Sequence, residues 1–299
     1  MASEITVSHV TKDYGQERGN FGIDFSIAPG EAFGLVGENG AGKTTLIRQM
    51  MGFVRPDRGK ITIDGLDSYR QAYLTKNLIG YVPGEINFPD IKTGSEFLKT
   101  YGKMKGAANT RLADSLIKRL QLDIRAYPKR MSKGMKQKTA IVLALVANPK
   151  ILIMDEPTTG LDPLMRDEFL KIMAEEKQEG KTIVMSSNTY EELEAVCDRV
   201  ALISKGRLLD IADLKAIRKR NERDFKIEFK AEGDYRSFKA SSPFAIIRDQ
   251  PVYCQVTVRV PKDRIGTFVE DLQTKNLKFM SEQPYDLETY FKERRKDSL

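Results

Sequence analysis

Residues 31–45 read EAFGLVGENGAGKTT, and the fold follows from how this stretch changes character. EAFGLVG is a nearly continuous apolar run, the pattern of a strand buried on both faces. The next nine residues, Gly37, Glu38, Asn39, Gly40, Ala41, Gly42, Lys43, Thr44 and Thr45, satisfy G-x-x-x-x-G-K-[ST]. Beyond Lys43 the pattern turns helical: Leu46, Ile47, Met50 and Met51 share one face, and Gly52 ends it. Strand, glycine loop and helix in that order make a phosphate cradle. The glycines let successive N–H groups turn inward, and the helix start adds partial positive charge. In such a loop Lys43 reaches the β- and γ-phosphates of a nucleotide, and the Thr44 hydroxyl ligates Mg²⁺.

Downstream, ILIMDEP (151–157) is a second buried strand, this time running straight into two acids. Ligands of α/β sheets bind at the carboxyl ends of strands. Consecutive strand residues point in opposite directions, so Asp155 and Glu156 can take different tasks. Asp155 would hold magnesium through water, and Glu156 would polarise the attacking water.

Around these two strands the chain alternates strand and helix. ITVSHV, FGIDFSI and KITIDG read as strands in residues 1–87, and TIVMSS (182–187) as another. Residues from about 88 to 145 read as a helical insert, with Leu112, Leu116, Ile117 and Leu120 at helical spacing. RVALIS and RLLDI flank a tight turn at Lys205-Gly206. The expectation is an α/β P-loop fold: a RecA-like core of mainly parallel sheet, with antiparallel strands and a helical insert, over 1–215. Residues 214–224, LKAIRKRNERD, read as a linker helix. Residues 216–299 read as a small α+β accessory domain, with strands at FKIEF and VYCQVTVRV and Cys254 in the core.

Composition narrows the setting. The longest apolar runs fall far short of the roughly 20 residues a membrane span requires. Two cysteines make neither a disulfide framework nor a metal-ligand pattern, and the start, MASEITVSHV, does not read as a secretory signal. The expected setting is therefore cytoplasmic. The net charge is +7, but residues 216–299 hold 18 basic and 14 acidic side chains, leaving 31 and 28 for residues 1–215. An excess spread this thinly argues against a nucleic-acid partner. The dense runs IRKRNER (217–223) and KERRK (292–296) read as solvated helix ends or contacts to an acidic membrane surface.

Between the two acid- and phosphate-bearing segments lies KRMSKGMKQKTAIVLALVANPKILIMDEP, and here the chain resembles the nucleotide-binding subunit of an ATP-binding cassette (ABC) transporter. The resemblance covers about residues 3–215, in the family's order. It implies that Tyr14 stacks on adenine and that Met131-Ser132-Lys133-Gly134-Met135 is the signature segment, where the family reads Leu-Ser-Gly-Gly-Gln. Ser132 and Gly134 would then approach the γ-phosphate of ATP held by a second subunit, in a head-to-tail dimer. Gly160-Leu161-Asp162 would contact that subunit. The wording Ser-Lys-Gly-Met-Lys-Gln is similar to the branch serving ABC-2-type exporters. That implies a separate transmembrane permease, docked through the helical insert, which would hold the chain on the inner face of the cell membrane.

Two positions depart from the family. Gly84 occupies the slot of a magnesium-sensing glutamine, followed by Glu85, which either offers the metal a carboxylate oxygen or is a surface charge. Asn188 stands where the family has a histidine; His9 is the chain's single histidine and lies elsewhere. Asparagine keeps a donor and an acceptor but cannot titrate. The expectation is that ATP binding survives and hydrolysis is slow, the alternative being a regulatory switch without efficient turnover.

Overall fold

The computed structural model describes residues 4–88, 93–104 and 110–297. The chain divides into two compact units, Met1–Leu214 and Lys215–Leu299. The first opens with β1 (Ile5–Asp13) and β2 (Gly19–Ile27), an antiparallel pair. β3 (Ala32–Val36) leads through the glycine loop into α1 (Lys43–Met50), followed by β4 (Arg58–Ile63) and β5 (Leu66–Asp67). α2 (Ala72–Leu78) and β6 (Ile79–Val82) come next. The insert follows, with α3 (Gly94–Met104), α4 (Thr110–Arg119) and α5 (Lys133–Val146); residues 89–92 and 105–109 of that expected insert lie outside the described residues. The unit closes with β7 (Ile151–Asp155), α6 (Pro163–Gln178), β8 (Thr182–Ser187), α7 (Tyr190–Val196), β9 (Arg199–Ser204) and β10 (Arg207–Asp213).

These strands make two sheets, β2-β1-β4-β5 and β10-β9-β3-β8-β7-β6. In the second, β3 runs parallel to β8 and β9, β7 parallel to β6 and β8, and only β10 is antiparallel. β3, β7 and β8 are buried at every position, as strands sandwiched inside a parallel sheet must be. β1 instead alternates, sending Ile5, Val7 and Val10 into a core shared with Ile23, Phe25, Ile47 and Ile153. The register brings Val36 beside Ser187 and Asp155 beside Ser186. Three adjacent strands therefore end together, and the segments following them share one edge of the sheet.

α2 was not expected from the sequence. It has seven residues and buries only Thr75, so it carries too little apolar period to be read. Lys205 (φ 47°) and Gly206 (φ 71°) form the expected tight turn between β9 and β10. No helix of the described residues is long and apolar enough to cross a membrane.

α8 (Leu214–Arg218) is much shorter than the linker helix read over 214–224, because β11 (Glu222–Phe229) already starts at Glu222. Within that stretch Asp224 is buried rather than solvated, and it accepts from Arg220 and from the distant Arg259. The second unit continues with α9 (Glu232–Ser241), β12 (Ala245–Gln250), β13 (Gln255–Pro261), α10 (Ile265–Gln273), β14 (Leu277–Gln283) and α11 (Leu287–Asp297). Its antiparallel sheet has the order β12-β13-β11-β14, which is the ferredoxin-like β-α-β-β-α-β arrangement. Phe225, Ile227, Val256, Val258, Phe238 and Phe268 fill its core. Cys254 is not in that core: it takes a left-handed turn (φ 48°) after the 3-10 turn Pro251–Tyr253 and packs half-buried at the fringe. The side chains of the last two residues of KERRK fall outside the described ones.

Candidate functional site

The glycine loop joins β3 to α1 at the strand-end edge. Gly42, at φ +107°, is the N-cap of α1. A Cβ there would lie 2.6 Å from Asn20 Nδ2 and 2.9 Å from Gly19 O, so only glycine fits. The loop is braced by residues that no motif marks. Asn20 Nδ2 donates to Gly42 O (3.1 Å), Gln49 Nε2 donates to Asn20 Oδ1 (2.8 Å), and Gly206 N donates to Ala41 O (2.9 Å). Asn20 and Gln49 are fully buried amides, and no local pattern marks them: Asn20 stands between Gly19 and Phe21, and Gln49 between Arg48 and Met50. α1 has no acidic residue in its first turn, leaving its N-terminal N–H groups and dipole to favour an anion. Glu38, Asn39 and Gly40 are exposed at the loop's crest, while Gly37 and Ala41 are buried and Thr44 and Thr45 half-buried.

Lys43, 4% exposed, donates from Nζ to Gly37 O (2.7 Å), Glu38 O (3.3 Å) and Asn188 Oδ1 (2.7 Å). Its ammonium lies 3.8 Å from Glu156 Oε1. Burial pulls its pKa below the ordinary lysine value, and the charges of Glu156 and Asp155 oppose that fall. Asn188 is exposed after β8 and joins three partners: its Nδ2 donates to Glu156 Oε1 (3.0 Å) and Asn39 Oδ1 (3.1 Å) while its Oδ1 takes the Lys43 bond.

Asp155 and Glu156 diverge as consecutive strand-end residues do. Asp155 is buried, and its Oδ1 accepts from Ser186 Oγ (2.7 Å). Glu156 turns out of the strand at φ +47°, with its N–H on the same Ser186 hydroxyl (2.9 Å) and Thr159 Oγ1 donating to its Oε2 (3.5 Å). Ser186 is thus a further residue that the motif reading missed. Tyr81 is pushed up to about 12, first by burial and then by the Asp155 charge. A partly exposed carboxylate held by an amide can take a proton from water, and a sheltered ammonium beside it can neutralise an anion.

A second group gathers on residues 157–162. Ser132 caps α5, its Oγ accepting from Met135 N (3.2 Å), and Asp162 caps α6 in the same way from Met165 N (3.0 Å). A Cβ on Gly134 would come within 2.7 Å of Gly160 O, and Gln137 Nε2 donates to Pro157 O (2.7 Å). Lys133 is exposed, with its stem against Gly160. Tyr14 is 50% exposed in the turn after β1, where Lys12 Nζ sits 5.4 Å from its ring centroid. Glu85 is exposed beside Gly84. Among the described residues no hydrogen bond joins Tyr14 or Glu85 to either group, and no cluster of three or more His, Cys, Asp or Glu is placed to hold a metal.

Residues 21–159 match the ABC transporter family model. The chain is 38% identical over 209 residues to the Nod factor export ATP-binding protein I of Rhizobium etli, covering 68% of this chain and 66% of that protein. It is 37% identical over 212 residues to the linearmycin resistance ATP-binding protein LnrL of Bacillus subtilis, covering 69% and 68%. This chain belongs to the ABC transporter family. A further relative, the ABC transporter ATP-binding protein NatA of Bacillus subtilis, is 38% identical over 195 residues, covering 62% of this chain and 78% of that one. The solved ATP-binding subunit of an ABC transporter superimposes with a TM-score of 0.67 at 30% identity, covering 73% of this chain and 92% of that one.

Within the ABC fold the two departures acquire a geometry. A Cβ on Gly84 would lie 3.0 Å from Asp155 Oδ2, so the absent glutamine leaves that oxygen uncovered by a side chain from residue 84. Asn188 is not a bystander: its one amide bridges the loop lysine and the strand-end glutamate.

Proposed function

We propose that this ABC-family chain is the ATP-binding and ATP-hydrolysing subunit of an ABC-2-type exporter, acting as a dimer on a separate transmembrane permease. The observation that carries the reading is the joining of Lys43, Glu156 and Asn188 in one hydrogen-bonded group beside the glycine loop. The phosphates of ATP take the loop N–H groups and the start of α1, and Lys43 Nζ turns from carbonyl oxygens to phosphate oxygens. Tyr14 offers an exposed ring to adenine. Glu156 accepts a proton from water as the water oxygen bonds to the γ-phosphorus and the bridging P–O bond to ADP breaks. Asn188 holds the Glu156 carboxylate toward that water.

Mg²⁺ fits the oxygen donors: Asp155 keeps Oδ2 beside Gly84 while Oδ1 is taken by Ser186, and Thr44 adds a hydroxyl. When bound it neutralises charge on the β- and γ-phosphates. Glu85 is the third candidate oxygen, from an exposed loop. In the dimer, Ser132, Gly134 and Asp162 meet the second copy's nucleotide. Residues 1–215 form the ATP-binding domain, with the insert of about 88–145 facing the permease at the inner face of the membrane, and 216–299 form an accessory domain. No nucleic-acid partner is proposed.

Single-turnover hydrolysis with Mg²⁺ tests this. Glu156→Gln should cut the rate at least about a hundredfold with nucleotide affinity kept within about threefold. Tight nucleotide binding without turnover, in both forms and with the permease present, would leave the ATP-gated regulatory switch as the better reading.

A further inference from the structure

Glu192, on α7, is a buried carboxylate that the hydrolysis scheme above leaves unused. Its Oε2 accepts two hydroxyls, from Ser187 Oγ at 2.7 Å and from Thr158 Oγ1 at 2.8 Å. Ser187 immediately precedes Asn188, and its Oγ also accepts from Thr189 N (3.0 Å). Thr158 follows Glu156 by two residues, next to Pro157, whose carbonyl takes the bond from Gln137 of α5. One carboxylate oxygen therefore ties the segment that carries Asn188 to the segment that carries Glu156.

We propose that Glu192 is a positioning residue for ATP hydrolysis, holding the Asn188 amide in register with the Glu156 carboxylate. The proposal rests on the reading of Glu156 and Asn188 given above. Hydrogen bonds from hydroxyls to a sheltered carboxylate are short and strong, and a buried acceptor of two donors cannot be lost without leaving both unpaired. With that carboxylate gone, the two segments stay joined at the strand ends by the Ser186 hydroxyl, which takes Glu156 N–H at 2.9 Å, and beyond the strand ends by the Asn188–Glu156 bond. Because both hydroxyls use the same oxygen, a glutamine carbonyl oxygen placed there can accept both. Lys43 and the glycine loop make no bond to Glu192, so nucleotide binding is separable from this contact.

The experiment compares Glu192→Ala, Glu192→Gln, Ser187→Ala and Thr158→Ala in the full chain, measuring single-turnover rate, KM and nucleotide Kd. Glu192→Ala should lower the rate about tenfold with KM and Kd within about twofold, and Glu192→Gln should restore most of it. Ser187→Ala combined with Glu192→Ala should cost no more than Glu192→Ala alone, the non-additivity of a shared contact. If Glu192→Ala fails to fold, the Ser187→Ala and Thr158→Ala pair gives the same cycle. Unchanged rates in these variants, or equal losses of rate and affinity, would overturn the positioning role. Glu156→Gln run alongside separates the two ideas: if it leaves turnover intact, the site reading and the role of Glu192 both fall. If it abolishes turnover while Glu192→Ala does not slow it, only the role of Glu192 falls.

Discussion

Truncating Asn188 to alanine deletes its bonds to Lys43 Nζ (2.7 Å), Glu156 Oε1 (3.0 Å) and Asn39 Oδ1 (3.1 Å). Two of these partners are charged, and such bonds are worth about 1.5–3 kcal/mol when sheltered. Asn188 is exposed, so water replaces much of what is lost. A net effect near the lower bound of one bond, about 1.5 kcal/mol, corresponds to about a tenfold fall in the chemical rate. Affinity should hold within about threefold, because the loop N–H groups, the start of α1 and the Lys43 ammonium that would take the phosphates are all retained. Asn188→His sharpens the same question. Neutral imidazole supplies one donor and one acceptor, as the amide does, but loses the acceptor facing Lys43 on protonation. Its rate should exceed that of the native chain at pH about 8 and fall below about pH 6.5, where the native chain has no titrating group at this position. The assay is single-turnover hydrolysis with Mg²⁺ across that range, beside nucleotide binding by calorimetry. An Asn188→Ala rate equal to native at unchanged affinity would refute the reasoning, since the observed bridge would then do nothing for catalysis.

Other expectations are independent of that one. Lys43→Met removes a sheltered cation from the loop and should weaken ATP binding by about 10- to 100-fold, read by equilibrium binding; unchanged affinity would place the phosphates elsewhere. Burial pushes the Cys197 thiol up to about 12, so at pH about 8 a thiol reagent should label half-buried Cys254 in the native protein and reach Cys197 only through opening of its unit. Equally fast labelling of both would contradict the burial. In the second unit, Arg259 donates to Asp224 Oδ1 (3.0 Å) and Oδ2 (3.2 Å) and Arg220 to Oδ2 (3.3 Å). Asp224→Ala leaves these guanidinium groups without their buried partner and should destabilise that unit by about 3 kcal/mol in chemical denaturation.

Some of this molecule can be read without coordinates. The run from Glu31 to Thr45 has only one economical solution, because a buried strand, three close-set glycines and a helix start together make a phosphate cradle. That Asp155 and Glu156 point apart is legible from the strand's period of two, and the left-handed turn at Glu156 completes it. The accessory unit was harder to read. FKIEF and the helix near RIGTFVEDLQTK stand out, but α9 buries only Tyr235 and Phe238 and β12 and β14 are exposed along most of their length, so their periodicity is weak. The charged stretch 214–224 misleads because Asp224 looks, in sequence, like one more solvated charge, whereas it is buried against Arg220 and the distant Arg259.

The sequence by itself determined the phosphate loop, the two strand-end acids and the family, because those depend on local spacing along one segment at a time. Only the tertiary structure decided that Asn188 bridges Lys43 and Glu156, that Asn20 and Gly206 brace the loop, and that Glu192 ties two segments through one oxygen. Asn188 and Lys43 are 145 positions apart, and Asn188 and Glu156 are 32. Nothing in local propensity encodes such meetings. They arise because β3, β8 and β7 lie side by side in a parallel sheet, which brings the residues after each strand to one edge.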